Sequence, residues 1–191
     1  MSASSLITWA ILLVLVIYVV VIFNNLISLK HNVKKALANI DVLLKQRNDE
    51  LPKLVDVCRA YMKHEEETLT KVIEARGLVS SAQESGNIEA LGEAEGLLRG
   101  GLGKLFAVAE SYPDLKADQS FLALQQRISA LEDSIADRRE VYNEWVNNNN
   151  VRIEQFPDLI VAHFFGFGTY KLLEFTQEEL ANVNIGRLFN P

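Results

Sequence analysis

The chain has 191 residues, of which 49% are apolar, with four prolines, one cysteine and a formal net charge of −6. This composition argues against disorder and excludes an internal disulfide and a cysteine-rich zinc site. The charge is uneven, because Lys30–Arg47 holds five basic side chains and one acidic one, a net +4, so the rest of the chain carries −10. An acidic body binds polyanions poorly, and we predict that nucleic acid is not a partner.

The first predicted element is the uncharged stretch 6–23, which reads LITWAILLVLVIYVVVIF. A helix rises about 1.5 Å per residue and needs roughly 20 apolar residues to cross the hydrocarbon core. The sequence therefore predicts a transmembrane helix over residues 6–28, after a short extracytoplasmic tail at 1–5. A cleaved signal peptide is the alternative, but residues 1–5 lack Lys and Arg, and the apolar run exceeds the usual length of about 15 residues at most.

The lysines that follow this stretch predict its orientation. Lys30, Lys34 and Lys35 all lie on its C-terminal side, and the positive-inside rule keeps that side in the cytoplasm. We expect these three side chains to contact anionic lipid headgroups. The stretch has no glycine and hence no close-packing dimerisation motif, so any assembly is expected to come from the domain that follows.

Apolar residues recur at spacings of three and four over residues 29–156, which predicts amphipathic helices. Asp49 and Pro52 fit either a helix restart, capped by Asp49, or one kinked continuous helix. The first clear turn is at Gly86, and Pro113 follows the third bundle helix. Because short turns join long amphipathic helices, we predict an all-α fold, in which the N-terminal transmembrane helix continues into an antiparallel up-and-down four-helix bundle.

Two surfaces are candidate oligomer contacts. The third helix has glycines at i, i+4 and i+8, where each costs about 1 kcal/mol relative to alanine. A glycine face permits close approach of another helix of the bundle or of a neighbouring subunit, and a merely weak helix is the third possibility. The C-terminal segment 157–191 is rich in aromatic residues and is expected to pack on the bundle, a neighbouring subunit or the membrane surface. The candidate contacts are Gly92, Gly96, Gly100, Phe164, Phe165 and Phe167.

No motif in the sequence predicts catalysis, a cofactor or a metal. His64 begins a pattern like a zinc-protease helix, but Thr68 stands where the second histidine is needed. Cys58 is expected to be a small buried apolar residue rather than a reactive thiol. The run Asn147–Asn150 predicts a solvated patch, or else an amide ladder between subunits.

Several charged residues lie at or beside the apolar stripes, where polar groups tend to fix register and partner choice. We predict that they form a structural charge network, with Arg76 and Glu132 considered as one pair. The network residues are Asp41, Arg47, Arg76, Glu132 and Arg139.

A series of short motifs runs in order along the chain. The motifs are VKKA at 33–36, NIDV at 39–42, LKQR at 44–47, LPKLV at 51–55, YMKHE at 61–65, EAR at 74–76, YPDLKA at 112–117, Arg139 with YN at 142–143, FP at 156–157 and FGF at 165–167. Together they resemble the LemA family over residues 25–175. Leu37 stands where the family often has tryptophan, and Asn149 where a second Tyr-Asn pair usually begins. Both are packing positions, so the fold expectation is unchanged.

The resemblance implies a bacterial protein with an N-terminal membrane helix, an antiparallel helical bundle and no established enzymatic activity. Relatives of that family occur among magnetosome-membrane proteins. We therefore expect a non-enzymatic scaffold in the bacterial inner membrane, single-pass, with its C-terminal domain in the cytoplasm, that forms homo-oligomers and organises or curves the bilayer. The alternative is a monomeric adaptor that recruits another membrane protein, such as a protease or a signalling protein.

Overall fold

A computed structural model of the chain describes residues 3–174, and that part folds into six helices without a strand. The helices are α1 (Ala3–Tyr61), α2 (Glu66–Ser85), α3 (Ile88–Ala109), α4 (Pro113–Ala117), α5 (Gln119–Glu154) and α6 (Asp158–Phe165). The all-helical class is confirmed, as is the long apolar helix at the N-terminus. At 59 residues α1 is the longest of these helices.

The connection between α2 and α3 follows from its residues. Gly86 adopts the left-handed conformation, with φ of 65°, and its N–H reaches the carbonyls of Ala82 and Gln83 at the end of α2. A residue without a Cβ takes this conformation at little cost. Asn87 then caps α3 by accepting a 3.2 Å hydrogen bond from the backbone of Ala90. The turn predicted at Gly86 is present.

A break at residues 62–65 separates α1 from α2. Met62 is buried at this break, and its N–H donates to the carbonyl of Cys58 over 2.8 Å. His64 is exposed and lies in the break, so the motif that is like a zinc-protease helix is not helical at this position.

Two compact units divide the described part of the chain, namely residues 3–38 with 140–171, and residues 39–139 with 172–174. The boundaries fall inside α1 and α5, so both helices contribute to both units. In the first unit a small apolar core joins α1, α5 and α6. Its buried members are Ile22, Leu26, Ile153, Val161 and Ala162.

The second unit has the larger core, built from the apolar stripes of α1, α2, α3 and α5 together with α4. Asp118 begins α5 by accepting bonds of 2.8 and 3.0 Å from the backbone of Ser120 and Phe121. Fully buried side chains include Ile40, Leu44, Leu54, Cys58, Val72, Leu98, Leu105, Leu115 and Ile128. The predicted helical stripes thus form the core of this unit.

Candidate functional site

The first candidate site is the apolar surface of α1. Among the described residues, α1 is the helix whose length and composition suffice to cross a membrane, and only 6% of its most apolar 18-residue window is buried. The apolar side chains of this window are therefore hardly used in a protein core, unlike those of a buried helix of the same composition. Lys30, Lys34 and Lys35 follow on exposed positions of the same helix, where contact with headgroups stays a prediction.

A second candidate is a buried charge network in the second unit. Arg47 of α1 is fully buried and donates to both carboxylate oxygens of Glu95 on α3, through Nη1 over 3.0 Å and through Nη2. Its Nη1 also reaches Oε1 of Glu132 on α5 at 2.5 Å. Arg99 completes the network with a 3.3 Å ion pair to Glu132. Two cations and two anions thus connect three helices.

The electrostatics of this network keep Arg47 charged. Burial alone would lower the pKa of Arg47, but Coulomb attraction and hydrogen bonds from Glu95 and Glu132 outweigh it, and the pKa is raised. Each of the four charges faces an opposite charge, and polar groups paired in this way between helices tend to fix helix register. A structural role for Arg47 and Glu132 remains our prediction, and the geometry is compatible with it.

Glu95 and Arg99 were missed by sequence reasoning. The signal for Glu95 was available, because Leu91 at i−4 and Leu98 at i+3 place it on the apolar face of α3. A carboxylate on such a face needs a cation, and Arg47 is the buried cation opposite. The contacts predicted for α3 were instead its glycines Gly92, Gly96 and Gly100.

Arg76 has a different partner from the one considered. Its Nε donates to the backbone carbonyl of Asn48 over 3.0 Å, whereas Glu132 is bound by Arg47 and Arg99, so the pairing of Arg76 with Glu132 was wrong. The partner has a physical reason. α1 runs without a break through Pro52, which has no N–H to give to the carbonyl four residues earlier, and that carbonyl belongs to Asn48.

Arg76 thus replaces the hydrogen bond that Pro52 removes from α1. The helix restart at Asp49 is not observed, and a guanidinium from α2 stabilises the continuous helix instead. Asn48 also donates its side-chain amide to the hydroxyl of Ser80 over 2.9 Å, next to Arg76 on α2. These bonds join α1 to α2 around the proline.

The other two predicted network residues lie elsewhere. Asp41 accepts a 3.2 Å hydrogen bond from the side chain of Gln83 on α2. Arg139 of α5 is 2% exposed. The structure therefore brings Arg47 and Glu132 together, whereas Asp41 and Arg76 contact other residues.

The three glycines of α3 that were predicted as contacts occupy different surroundings. A Cβ on Gly92 would lie 2.7 Å from the carbonyl oxygen of Glu174, so this glycine admits the chain's own C-terminal segment. At Gly100 a Cβ would meet no atom of the described residues within 4 Å. Gly96 and Gly100 line a surface groove of about 380 Å³ between α2 and α3, beside the exposed side chains of Leu78 and Leu97.

The asparagine run holds an extended segment of the same chain. Asn150 binds the backbone of Tyr170 twice, donating to its carbonyl over 2.8 Å and accepting from its N–H over 2.9 Å. Asn149 is buried and donates to the carbonyl of Gly168 over 3.3 Å. The solvated patch predicted for these two residues is wrong, since their amides bind backbone within the chain, while Asn147 and Asn148 are exposed.

Tyr142 contributes a further bond to the same segment. Its hydroxyl donates to the carbonyl of Lys171 over 2.9 Å. Burial, and to a smaller extent the charge on Tyr170, raises the pKa of Tyr142 to about 12. The phenol therefore stays protonated and keeps its donor at physiological pH.

The aromatic residues near α6 form two groups. Phe165 and Phe167 lie against Phe23 of α1, with ring centroids 4.7 and 5.8 Å apart. Phe164 and Phe156 point outward and are 81% and 80% exposed. Contact of Phe164, Phe165 and Phe167 with a second copy of the chain stays a prediction.

Nucleophilic and metal-binding groups do not converge in the described part. No group of three His, Cys, Asp or Glu side chains within residues 3–174 is placed to hold a metal ion. Cys58 is buried, and burial raises the pKa of its thiol from 9.0 to about 11. It has the environment of a structural cysteine rather than that of a nucleophile.

These features define the class: an all-helical protein with one apolar membrane-type helix and internal contacts of a structural kind. The LemA family model matches residues 36–186, and the chain belongs to this family. The resemblance of the motifs is thereby confirmed.

Three curated relatives resemble the chain over most of its length. Magnetosome proteins MamQ 2 and MamQ 1 of Paramagnetospirillum magneticum are each 26% identical over 182 residues, covering 83% of this chain. Protein LemA of Metamycoplasma hominis is 27% identical over 169 residues, covering 87% of this chain and 75% of the relative. The chain spans 66% of the length of the two MamQ proteins. Together with the apolar α1, these relatives support a membrane-associated protein.

Proposed function

We propose that this protein is a non-enzymatic scaffold that is anchored in the bilayer by α1, self-associates there and organises or curves the membrane. The observation that carries the proposal is the apolar surface of α1, of which so little is buried in the protein. Family membership supports a membrane-associated, non-catalytic role, and two of the relatives are magnetosome proteins by name. We extend an organising role from such relatives to this chain as a hypothesis.

The proposal includes an orientation, with the N-terminus outside the bacterial inner membrane and the helical domain in the cytoplasm. The exposed lysines Lys30, Lys34 and Lys35 favour it, because basic residues are retained on the cytoplasmic side. Labelling of intact cells with a membrane-impermeant maleimide tests it. Ser4→Cys should react in intact cells, and Ser81→Cys on α2 should react only after lysis. The reverse pattern would reject this orientation.

We propose the groove between α2 and α3 as the surface of self-association. Gly96 and Gly100 make its floor low enough for a neighbouring helix to approach closely, and Leu78 and Leu97, 51% and 56% exposed, supply apolar area. Gly92 is not part of this surface, because Glu174 already covers it.

A pair of glycine substitutions separates this surface from general helix effects. Gly100→Leu fills the groove without a clash at its Cβ, and Gly103→Leu adds the same side chain to α3 in open space away from the groove. Both changes raise helix propensity by roughly 1 kcal/mol. We expect Gly100→Leu to reduce the oligomer and Gly103→Leu to leave it intact. Equal oligomers from both variants would reject the groove as the contact.

The mass of the protein in mild detergent tests the scaffold itself. An oligomer at micromolar concentration supports the proposal, and imaging of its symmetry would tell whether the array closes, as a curvature device requires. A monomer would reject the scaffold. A monomer captured together with one stoichiometric membrane protein would instead favour the adaptor.

A further inference from the structure

The outward face of α6 is apolar, although α6 is a short surface helix. Leu159, Ile160 and Phe164 on this face are 47%, 61% and 81% exposed, and Phe156, two residues before the helix, is 80% exposed. The opposite face is buried in the core of the first unit. A helix that is apolar on all sides requires an apolar environment on all sides, and the protein covers only one of them.

The one acidic group of α6 is kept away from this face. Asp158 is 4% exposed and forms an ion pair with Arg152 of α5. On the outward face of α6 the only polar side chain is that of His163. The outward face therefore holds no Asp, Glu, Lys or Arg side chain, whose transfer out of water would be the most costly.

The position of α6 indicates what covers this face. Val161 and Ala162 pack against Ile22 and Leu26 of α1, at the end of the uncharged stretch. Exposed apolar side chains of α6 and of α1, among them Val21 one residue before Ile22, therefore flank the same buried core. Both lie in the area at the end of the membrane-type segment.

The depth of this area agrees with the edge of a bilayer. Phe23, which contacts Phe165 of α6, lies seven residues before Lys30, a distance of about 10 Å along the helix. Between these levels a surface groove of about 530 Å³ has the polar side chains of Asn25 and Ser28 in its lining. The transition from apolar to polar surface therefore falls just beyond α6. Interfacial helices bury their apolar face about 5–10 Å into the headgroup and acyl boundary.

We propose that α6 inserts its outward face, with Phe156 and Phe164, into the lipid interface beside α1, as a second membrane contact of the same chain. The inference depends on the membrane anchor of the proposed function. A lone spanning helix is free to rotate about its axis, and a lateral contact fixes which side of the first unit meets the lipid. Because α6 enters one leaflet only, its insertion also gives the proposed oligomer a physical means to bend the bilayer.

The experiment measures depth with single tryptophans in the full chain. Trp9 and Trp145 are replaced by phenylalanine, and one tryptophan is introduced at an exposed apolar position: Phe164→Trp for α6, Val14→Trp for the middle of the span, or Leu97→Trp on α3. Each variant is reconstituted in nanodiscs of phosphatidylcholine and phosphatidylglycerol whose acyl chains are brominated at a shallow or at a deep position. Bromine quenches only a tryptophan at its own depth.

The expected result is a ranking of quenching by depth. Phe164→Trp should be quenched most by shallow bromines and should be shielded from aqueous acrylamide. Val14→Trp should be quenched most by deep bromines. Leu97→Trp should be quenched by neither the shallow nor the deep bromines. If Phe164→Trp is not quenched by bromine while Val14→Trp is, the insertion of α6 is rejected and the anchor stands. The insertion of α6 is also rejected if Phe164→Trp is shielded from acrylamide but is not quenched by bromine, because protein rather than lipid then covers the face. If Val14→Trp is not quenched either, the anchor fails and the insertion with it.

Discussion

The contact between Arg76 and the proline of α1 can be tested by a double-mutant cycle. The perturbations are Arg76→Ala, Pro52→Ala and the two together. In the native chain the carbonyl of Asn48 depends on the guanidinium, at a distance of 3.0 Å. In Pro52→Ala the new N–H at position 52 can bond this carbonyl in the ordinary helical way, so the same carbonyl no longer needs Arg76.

The expected size of the effect of Arg76→Ala follows from the partly buried carbonyl of Asn48. Leaving such a group unsatisfied costs about 1–3 kcal/mol, which is the expected loss of unfolding free energy in Arg76→Ala. Pro52→Ala should raise the free energy of unfolding by up to about 3 kcal/mol. The gain is smaller to the extent that Arg76 already compensates for the proline. In the Pro52→Ala background, Arg76→Ala should lose little. The coupling energy should therefore be about 1–2 kcal/mol, within the range found for residues in direct contact.

Urea denaturation in mild detergent, followed by the helical circular dichroism signal, supplies the four free energies. Lys71→Ala serves as the matched control, because Lys71 lies on the same helix as Arg76 and pairs at the surface with Glu67. Its small effect should be the same with Pro52 or with alanine at position 52. If the effects of Arg76→Ala and Pro52→Ala add to within about 0.5 kcal/mol, the two residues are independent. Arg76 would then not compensate for the proline.

Three further predictions concern the other internal contacts. Arg47→Met should lower the free energy of unfolding, measured by urea denaturation, by about 3–5 kcal/mol, because Glu95 keeps a buried charge without its partner. Lys53→Met, which breaks an exposed pair, should lower it by less than about 1 kcal/mol. Equal losses would contradict a role for burial. Asn150→Ala should expose the segment around Tyr170 to protease while Asn148→Ala should not, and equal digestion would show that the amide does not hold the segment. With a pKa of about 11 instead of 9.0, Cys58 should be about 0.1% thiolate at pH 8 instead of about 10%; it should react with a thiol reagent only after unfolding, and rapid reaction of the folded protein would contradict its burial.

The helical class and the apolar N-terminal helix were predictable because both depend on periodicity and length. Spacings of three and four place Leu44, Leu54 and Leu98 on buried faces whatever the connections are, and all three are buried. An uncharged run of 18 residues likewise has few structural alternatives. These properties are carried by many residues at once, so a few unusual positions do not change the conclusion.

The helix ends and polar partners were less predictable, because each depends on one contact with a residue distant in sequence. Pro52 looked like a boundary because the arginine that compensates for it lies on α2, 24 positions later. α1 ends at Tyr61, where neither glycine nor proline marks a turn. Asn150 looked solvated because its partner is the extended backbone near Tyr170, and a backbone gives no side-chain pattern to recognise.

The glycines of α3 illustrate the same limit, since equal spacing does not imply equal function. At Gly92 the carbonyl of Glu174 occupies the space of a Cβ, so a larger residue would displace the C-terminal segment. At Gly100 no atom of the described residues lies within 4 Å of the position of a Cβ, and the glycine costs about 1 kcal/mol of helix stability relative to alanine. Such a cost is reasonable where a low surface admits another molecule. We therefore propose Gly100, rather than Gly92, as the glycine of the self-association surface.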